Sequence, residues 1–244
     1  MTHPRRTFLR GGIAALLSST LATGVARSAT RAPATKAKIA LIGAGQIGGT
    51  LGTLWAKAGH PVFFSSRHPD ALHDLVHRAG TDAQAGTPQQ AAQFADIVVL
   101  AVPYGALPGI GQTLTPFTRG KVVLDACNPY PGRDGEVGTH ALQVGAGIAS
   151  AAYFPGAHLV RGFNAVDATV LQSEAHRQGQ PLAIPLAGDD PRAVQWASTL
   201  VRDAGFAPVI VGGLASARLF QPNGPLFEKD LTVDDMHAQL AHPA

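Results

Sequence analysis

Three glycines stand where an apolar run of strand length ends: Lys38-Ile39-Ala40-Leu41-Ile42 leads into Gly43-Ala44-Gly45-Gln46-Ile47-Gly48. This is the G-x-G-x-x-G pattern, and the residues after Gly48 have helical character, the context in which such a motif binds a dinucleotide. Gly43 permits the tight turn, Gly45 lets the backbone approach a pyrophosphate, and Gly48 lets the helix pack on the strand. An ordinary glycine-rich strand-to-helix turn is the competing explanation. A second group of residues lies at the end of the next expected strand, where an Asp or Glu would bind the ribose 2′-hydroxyl of NAD. The chain offers Ser65-Ser66-Arg67 there. Two hydroxyls and a guanidinium suit a 2′-phosphate, because arginine grips phosphate through paired hydrogen bonds. NADP(H) is therefore the expected cofactor, against the alternative that Arg67 is a solvated turn residue.

Ala101-Val102-Pro103 closes another apolar run at the end of a sheet where ligands of open α/β proteins bind, although a plain strand stop would look the same. Asp125, Asn128, Asn164 and His140 are polar residues near strand ends. None has a partner visible in the sequence, so no general acid is named. Hydride transfer asks little of side chains, since holding two rings face to face supplies most of the advantage. His73 and His77 have i, i+4 spacing but no third ligand nearby, and no metal is expected. Asp189-Asp190 follows a glycine and precedes Pro191, which fits a helix N-cap better than a carboxylate pair for catalysis. No G-x-S-x-G elbow, P-loop or cysteine cluster is present.

Strands and helices must alternate to position these residues. Strands are expected at residues 38–42, 61–65, 82–85, 96–102, 121–125, 158–163, 182–187 and 208–211. Helices are expected at 46–58, 69–78, 88–94, 104–116, 141–152, 167–178, 191–204, 215–220 and 233–240. The Pro- and Gly-rich stretch Tyr130 to Gly138 reads as a loop, either a lid or a surface connection. The fold expected is α/β, a Rossmann-like doubly wound, mostly parallel sheet with a C-terminal strand and helix extension.

The 244 residues carry a net charge of +3 and 45% hydrophobic content, enough for a sizeable core. Four of the 19 basic residues, Arg5, Arg6, Arg10 and Arg27, fall in the first 28 positions, leaving 15 against 16 acidic ones. The positive balance thus belongs to the leader, and a nucleic-acid footprint is not supported. Cys127 is alone, so no internal disulfide forms. Arg5-Arg6-Thr7-Phe8-Leu9 before the uncharged run Gly11 to Ala26 has the layout of a twin-arginine signal, with cleavage expected after Ser28. That run is too short and polar for a stable membrane span. The expected organisation is a signal peptide (1–28), a linker (29–37), an NADP-binding core (38–150) and an extension completing the sheet and substrate pocket (151–244). Export by the twin-arginine machinery would place the protein in the periplasm or outside the cell; a misplaced start would leave it in the cytoplasm. A homodimer is left open.

Gly43 to Gly48, the Ser65-Ser66-Arg67 turn, Ala101-Val102-Pro103, Asp125 to Pro129, Arg161-Gly162-Phe163-Asn164-Ala165-Val166 and Ala187-Gly188-Asp189-Asp190 occur in one order. Together they resemble the NADPH-dependent reductases of the coenzyme F-420 (deazaflavin) type. They are also similar to the reductase part of the six-transmembrane metalloreductases and, more distantly, to pyrroline-5-carboxylate reductases. The resemblance implies that Ser66 and Arg67 hold the 2′-phosphate and that Gly45 to Gly48 hold the pyrophosphate. It implies that Val102-Pro103 line the nicotinamide ribose and that Asn128-Pro129 and Asn164 border the second substrate. Ala44 stands where archaeal deazaflavin enzymes carry a hydroxyl residue. The expected function is hydride transfer between NADP(H) and a flavin-like, deazaflavin, quinone or metal-chelate acceptor. The alternative is a non-catalytic NADP-binding redox sensor or partner protein.

Overall fold

Eight strands form one sheet: β1 (Ile39–Ile42), β2 (Val62–Ser65), β3 (Ala83–Gly86), β4 (Ile97–Leu100), β5 (Val122–Asp125), β6 (His158–Arg161), β7 (Ala183–Gly188) and β8 (Ala207–Gly212). The computed structural model describes residues 36–241; the expected leader and its cleavage site lie outside the described residues. Strand order is β3-β2-β1-β4-β5-β6-β7-β8, parallel throughout except between β6 and β7. After β3 the chain returns to the other side of β1, so a crevice opens at the carboxyl ends of β1 and β4, the switch point where ligands of such sheets bind. β1, β2 and β4 are buried at every position, which explains their unbroken apolar sequences.

Helices cover both faces. On one lie α1 (Gln46–Lys57), α2 (His73–Ala79), α7 (Ala168–Glu174) and α8 (Pro191–Asp203), packed through Leu51, Trp55, Leu171, Ala197 and Leu200. On the other lie α3 (Pro88–Phe94), α4 (Leu107–Thr118), α5 (Pro131–Val144) and α6 (Ala146–Tyr153), packed through Ala91, Leu114, Ala141 and Ala149. A C-terminal helix, α9 (Val233–Ala241), joins β7 and β8 through Met236 in a smaller cluster with Phe220 and Leu226. Trp55 ties the first face together: its ring meets Phe163 edge-on at 5.8 Å, and its Nε1 donates to the Leu200 carbonyl at 2.8 Å.

Asp190 is the N-cap of α8, accepting from the Ala193 N–H at 2.8 Å, while Asp189 accepts from the Leu214 N–H at 2.8 Å. The stretch expected as a loop over Tyr130 to Gly138 is instead largely helical: it forms the first part of α5, a single turn from Pro131 that kinks at Gly135, where φ is +59° and the backbone leaves the helical region, before the helix resumes. Its glycines argue against a helix, but Pro131 stands in the first turn. Asp134, one turn in, accepts from the backbone N–H of Tyr130 (2.8 Å) and of Gly105 (3.0 Å). Tertiary anchoring thus overrides weak propensity. The expected helix over 141–152 divides at Gly145 between α5 and α6, and residues 214–220 form a 3-10 turn.

Candidate active site

The turn after β1 explains the glycine spacing. Gly43 has φ +97°, and a Cβ there would run into the Ala101 carbonyl of the neighbouring strand end. At Gly48 a Cβ would collide with the Gly43 carbonyl, so α1 can pack this closely only on glycine. Gly45 differs: it is exposed, and nothing lies within 4 Å of where its Cβ would be. It is also the N-cap of α1, whose first turn holds no acidic side chain and whose cap is unfilled by any side chain. The positive end of a twelve-residue helix therefore faces open space, which fits a pyrophosphate.

At the end of β2, Ser65 is fully buried and its hydroxyl donates to the Leu41 carbonyl at 2.8 Å. Ser65 therefore braces β1 against β2 and offers no hydroxyl to a phosphate. Ser66, next in the chain, accepts from the His68 N–H at 3.0 Å, and Arg67 is exposed with no ion-pair partner among the described residues. A guanidinium free in this way beside a hydroxyl fits the extra phosphate of NADP.

A cavity of about 320 Å³ opens at the strand ends and gathers Gln46, Ile47, Ala101, Val102, Pro103, Asn128 and Asn164 from the expected set. Pro129 lies outside it, on a neighbouring groove. A larger opening of about 600 Å³ includes Ala44, Gly45 and Gln46 but runs along α1 toward Lys57, away from the strand ends. Because the smaller cavity holds the ends of β4 and β5, it is the better candidate for the reacting rings.

Two locked segments shape its wall. Asn128 Nδ2 donates to the Asn164 carbonyl (2.6 Å), and Asn164 Nδ2 donates to Asn128 Oδ1 (3.1 Å) and to the Phe220 carbonyl (2.7 Å). Below them Arg161 and Asp125, both fully buried, pair at 2.6 Å. Arg161 Nη1 also reaches the Cys127 carbonyl at 2.7 Å, and the Cys127 N–H donates to Asp125 Oδ1 at 2.9 Å. This pair holds the turn that carries Asn128. Phe163 precedes Asn164 with φ +63°, a conformation costing a bulky residue roughly 1–3 kcal/mol. Ring contacts with Trp55 and Phe206 offset it.

The cavity also contains residues that the sequence did not single out: Tyr130, Arg133, Asp167 and Glu228. Asp167 caps α7, and hydrogen bonds from the Thr169 hydroxyl and N–H hold its carboxyl below the usual carboxylate range. Cys127 accepts from the Val102 N–H at 3.5 Å, and burial pushes its thiol well up. Pro131 and Asp134 were the available signals for Tyr130 and Arg133, whereas nothing local marks Glu228.

A glycine-turn crevice of this kind, on a doubly wound sheet with a second cavity at the strand ends, is the arrangement of a dinucleotide-binding protein. Residues 38–129 match the family described as NADP oxidoreductase, coenzyme F420-dependent. The chain is 29% identical over 203 residues to the F420-dependent NADP reductase of Methanothermobacter thermautotrophicus, covering 78% of this chain and 87% of that one. It is 28% identical over 194 residues to metalloreductase STEAP3 of Rattus norvegicus, covering 78% of this chain but only 37% of that protein's length. A solved structure of a hypothetical protein from Sinorhizobium meliloti is 31% identical with a TM-score of 0.66, covering 80% of this chain and 95% of that one. Over residues 38–129 the chain thus carries the pattern of the F420-dependent NADP oxidoreductases, and over most of its length it is similar to reductases of that kind.

Proposed function

We propose that this chain transfers hydride between NADP(H) and a small-molecule acceptor of the flavin-like, deazaflavin, quinone or metal-chelate type. The observation that carries this reading is the open space above Gly45, at the start of α1, together with Arg67 on the next strand's end, exposed and without an ion-pair partner among the described residues. In this reading the Gly45 to Gly48 turn holds the pyrophosphate, and Ser66 and Arg67 hold the 2′-phosphate. Val102 and Pro103 flank the nicotinamide ribose, which puts the reactive ring in the cavity walled by Asn128 and Asn164. NADP supplies the two-electron chemistry; the protein's residues bind it, orient it and keep water from the reacting faces. The names of the reductases it resembles support the choice of NADP.

Purified protein should shift NADPH fluorescence and oxidise NADPH with at least one member of a panel of flavins, deazaflavin, quinones and ferric chelates. Tight binding with no turnover across that panel would favour a redox sensor instead. We further propose that residues 1–28 direct twin-arginine export, with the cofactor staying bound outside the cytoplasm. Fused to a reporter active only when exported folded, residues 1–35 should give signal that Arg5→Lys/Arg6→Lys abolishes; signal surviving that change would refute export by this route.

A further inference from the structure

Two openings meet at Tyr130. The strand-end cavity and an outer groove of about 410 Å³, walled by Pro129, Leu142, Pro222 and Lys229 among others, share two residues, Tyr130 and Glu228. A side chain so placed touches whatever binds inside and stays within reach of water outside; Tyr130 is 39% exposed. Its position is nonetheless fixed. The Tyr130 N–H donates to Asp134 Oδ2 at 2.8 Å, and the Arg133 guanidinium lies 5.0 Å from the ring centroid. Arg133 is itself tied to the Asn128 carbonyl at 2.7 Å and to both Asp134 oxygens.

Hydride addition to a polar double bond leaves negative charge on a heteroatom unless a proton arrives with it. Few side chains in this cavity could deliver one. Asp167 is a hydrogen-bonded carboxylate, and the Cys127 thiol is buried with its sulfur engaged by Val102. Arg133 is locked in its ion pair, the Gln46, Asn128 and Asn164 amides do not titrate, and Glu228, at the same rim, acts on the phenol as a negative charge.

Building on the hydride-transfer reading above, we propose that Tyr130 is the proton donor of this reaction. Its Oη–H gives a proton to the oxygen or nitrogen at one end of the acceptor's conjugated system as hydride from NADPH adds at the other end. One bond to hydrogen forms at each end, the π bonds between them shift by one place, NADPH becomes NADP⁺, and the phenolate regains a proton from water in the outer groove. The acceptor is then a planar compound with a polar C=O or C=N bond, as in quinones and nitrogen heteroaromatics.

The charged and polar groups facing the phenol are Glu228 from the segment before α9, Arg133 and Asp134 on α5, and Asn128 on the preceding turn. Partial burial raises its pKa, Glu228's charge raises it further, Arg133 and Asn128 pull it back, and Asp134 adds a smaller rise. The net shift is upward. The hydroxyl is therefore protonated at neutral pH, and donation fails only as pH rises through its titration.

Tyr130→Phe should slow single-turnover oxidation of bound NADPH by a water-soluble naphthoquinone on the order of 10²-fold. NADPH affinity, read by fluorescence, should stay within about twofold of the parent. An ultraviolet difference titration of parent against Tyr130→Phe reads the phenol directly, without turnover. Glu228→Gln should move that titration and the alkaline limb of the rate to lower pH together. A Tyr130→Phe protein that binds NADPH and keeps both the parental rate and the alkaline limb overturns the donor role. So does a limb that Glu228→Gln leaves in place while the phenol titration moves. Failure of the parent to bind NADPH overturns the hydride-transfer reading and the donor role with it.

Discussion

Asp125→Ala tests how the acceptor wall is held. The carboxylate is fully buried, pairs with Arg161 at 2.6 Å and accepts the Cys127 N–H at 2.9 Å. Arg161 is equally buried, and its Nε and Nη2 have no hydrogen-bond partner among the described residues. Removing the carboxylate therefore strands a cation that already lacks partners for two nitrogens, and loss of one member of a buried pair costs about 3–5 kcal/mol. A domain of this size holds about 5–15 kcal/mol in total. At roughly 2–4 °C per kcal/mol, the melting midpoint should fall by about 6–20 °C. Replacing both residues, as Asp125→Leu/Arg161→Met, removes charge and counter-charge together and should recover most of the loss. Urea and thermal unfolding followed by circular dichroism, with signal-overlap checks of two-state behaviour, measures both variants. A single variant that loses less than about 1 kcal/mol, or a double variant no more stable than the single, would refute the reasoning.

The same geometry sets other outcomes. Gly45→Ala places a methyl in open space, so stability should stay within about 1 kcal/mol of the parent while NADPH affinity drops roughly tenfold or more; unchanged affinity in calorimetry would remove the pyrophosphate from this turn. Thr87→Ala breaks the reciprocal cap of α3, where Thr87 and Gln90 each bond the other's backbone, and should cost about 1 kcal/mol by chemical unfolding. Partial burial pushes the Asp203 carboxyl up, but bonds from Lys36 (2.8 Å) and His60 (2.9 Å) outweigh it, so its pKa lies below the usual range. The stability this contributes is present above the unfolded-state pKa and is lost as pH falls through the lowered folded-state value. Asp203→Asn should therefore flatten the acid side of the stability profile, and a profile superimposable on the parent's would contradict the pairing.

What the sequence disclosed depended on how local the cause was. The buried central strands β1, β2 and β4 announce themselves as apolar runs, and the glycine turn reflects steric needs met within a few residues. α5 did not, because what holds it is Asp134 reaching back to Gly105 and Tyr130 against a glycine-rich composition. Ser65 looked equivalent to Ser66, yet strand geometry turns its hydroxyl to Leu41 and buries it. Pro129 is adjacent in sequence to Asn128 but faces the outer groove. Glu228 reaches the cavity only because the segment before α9 folds back, its N–H donating to the Ala165 carbonyl at 3.0 Å with φ +53°. No nearby pattern encodes that return.

The central claim is that a 2′-phosphate sits against Arg67 while the diphosphate lies over Gly45. Equilibrium titration of the parent and of Arg67→Ala with NADPH and NADH addresses it directly. Hydrogen bonds to charged groups are worth about 1.5–3 kcal/mol, so Arg67→Ala should weaken NADPH roughly tenfold to a hundredfold and leave NADH nearly unchanged. Equal losses for the two nucleotides, or no binding of either by the parent, would contradict the account.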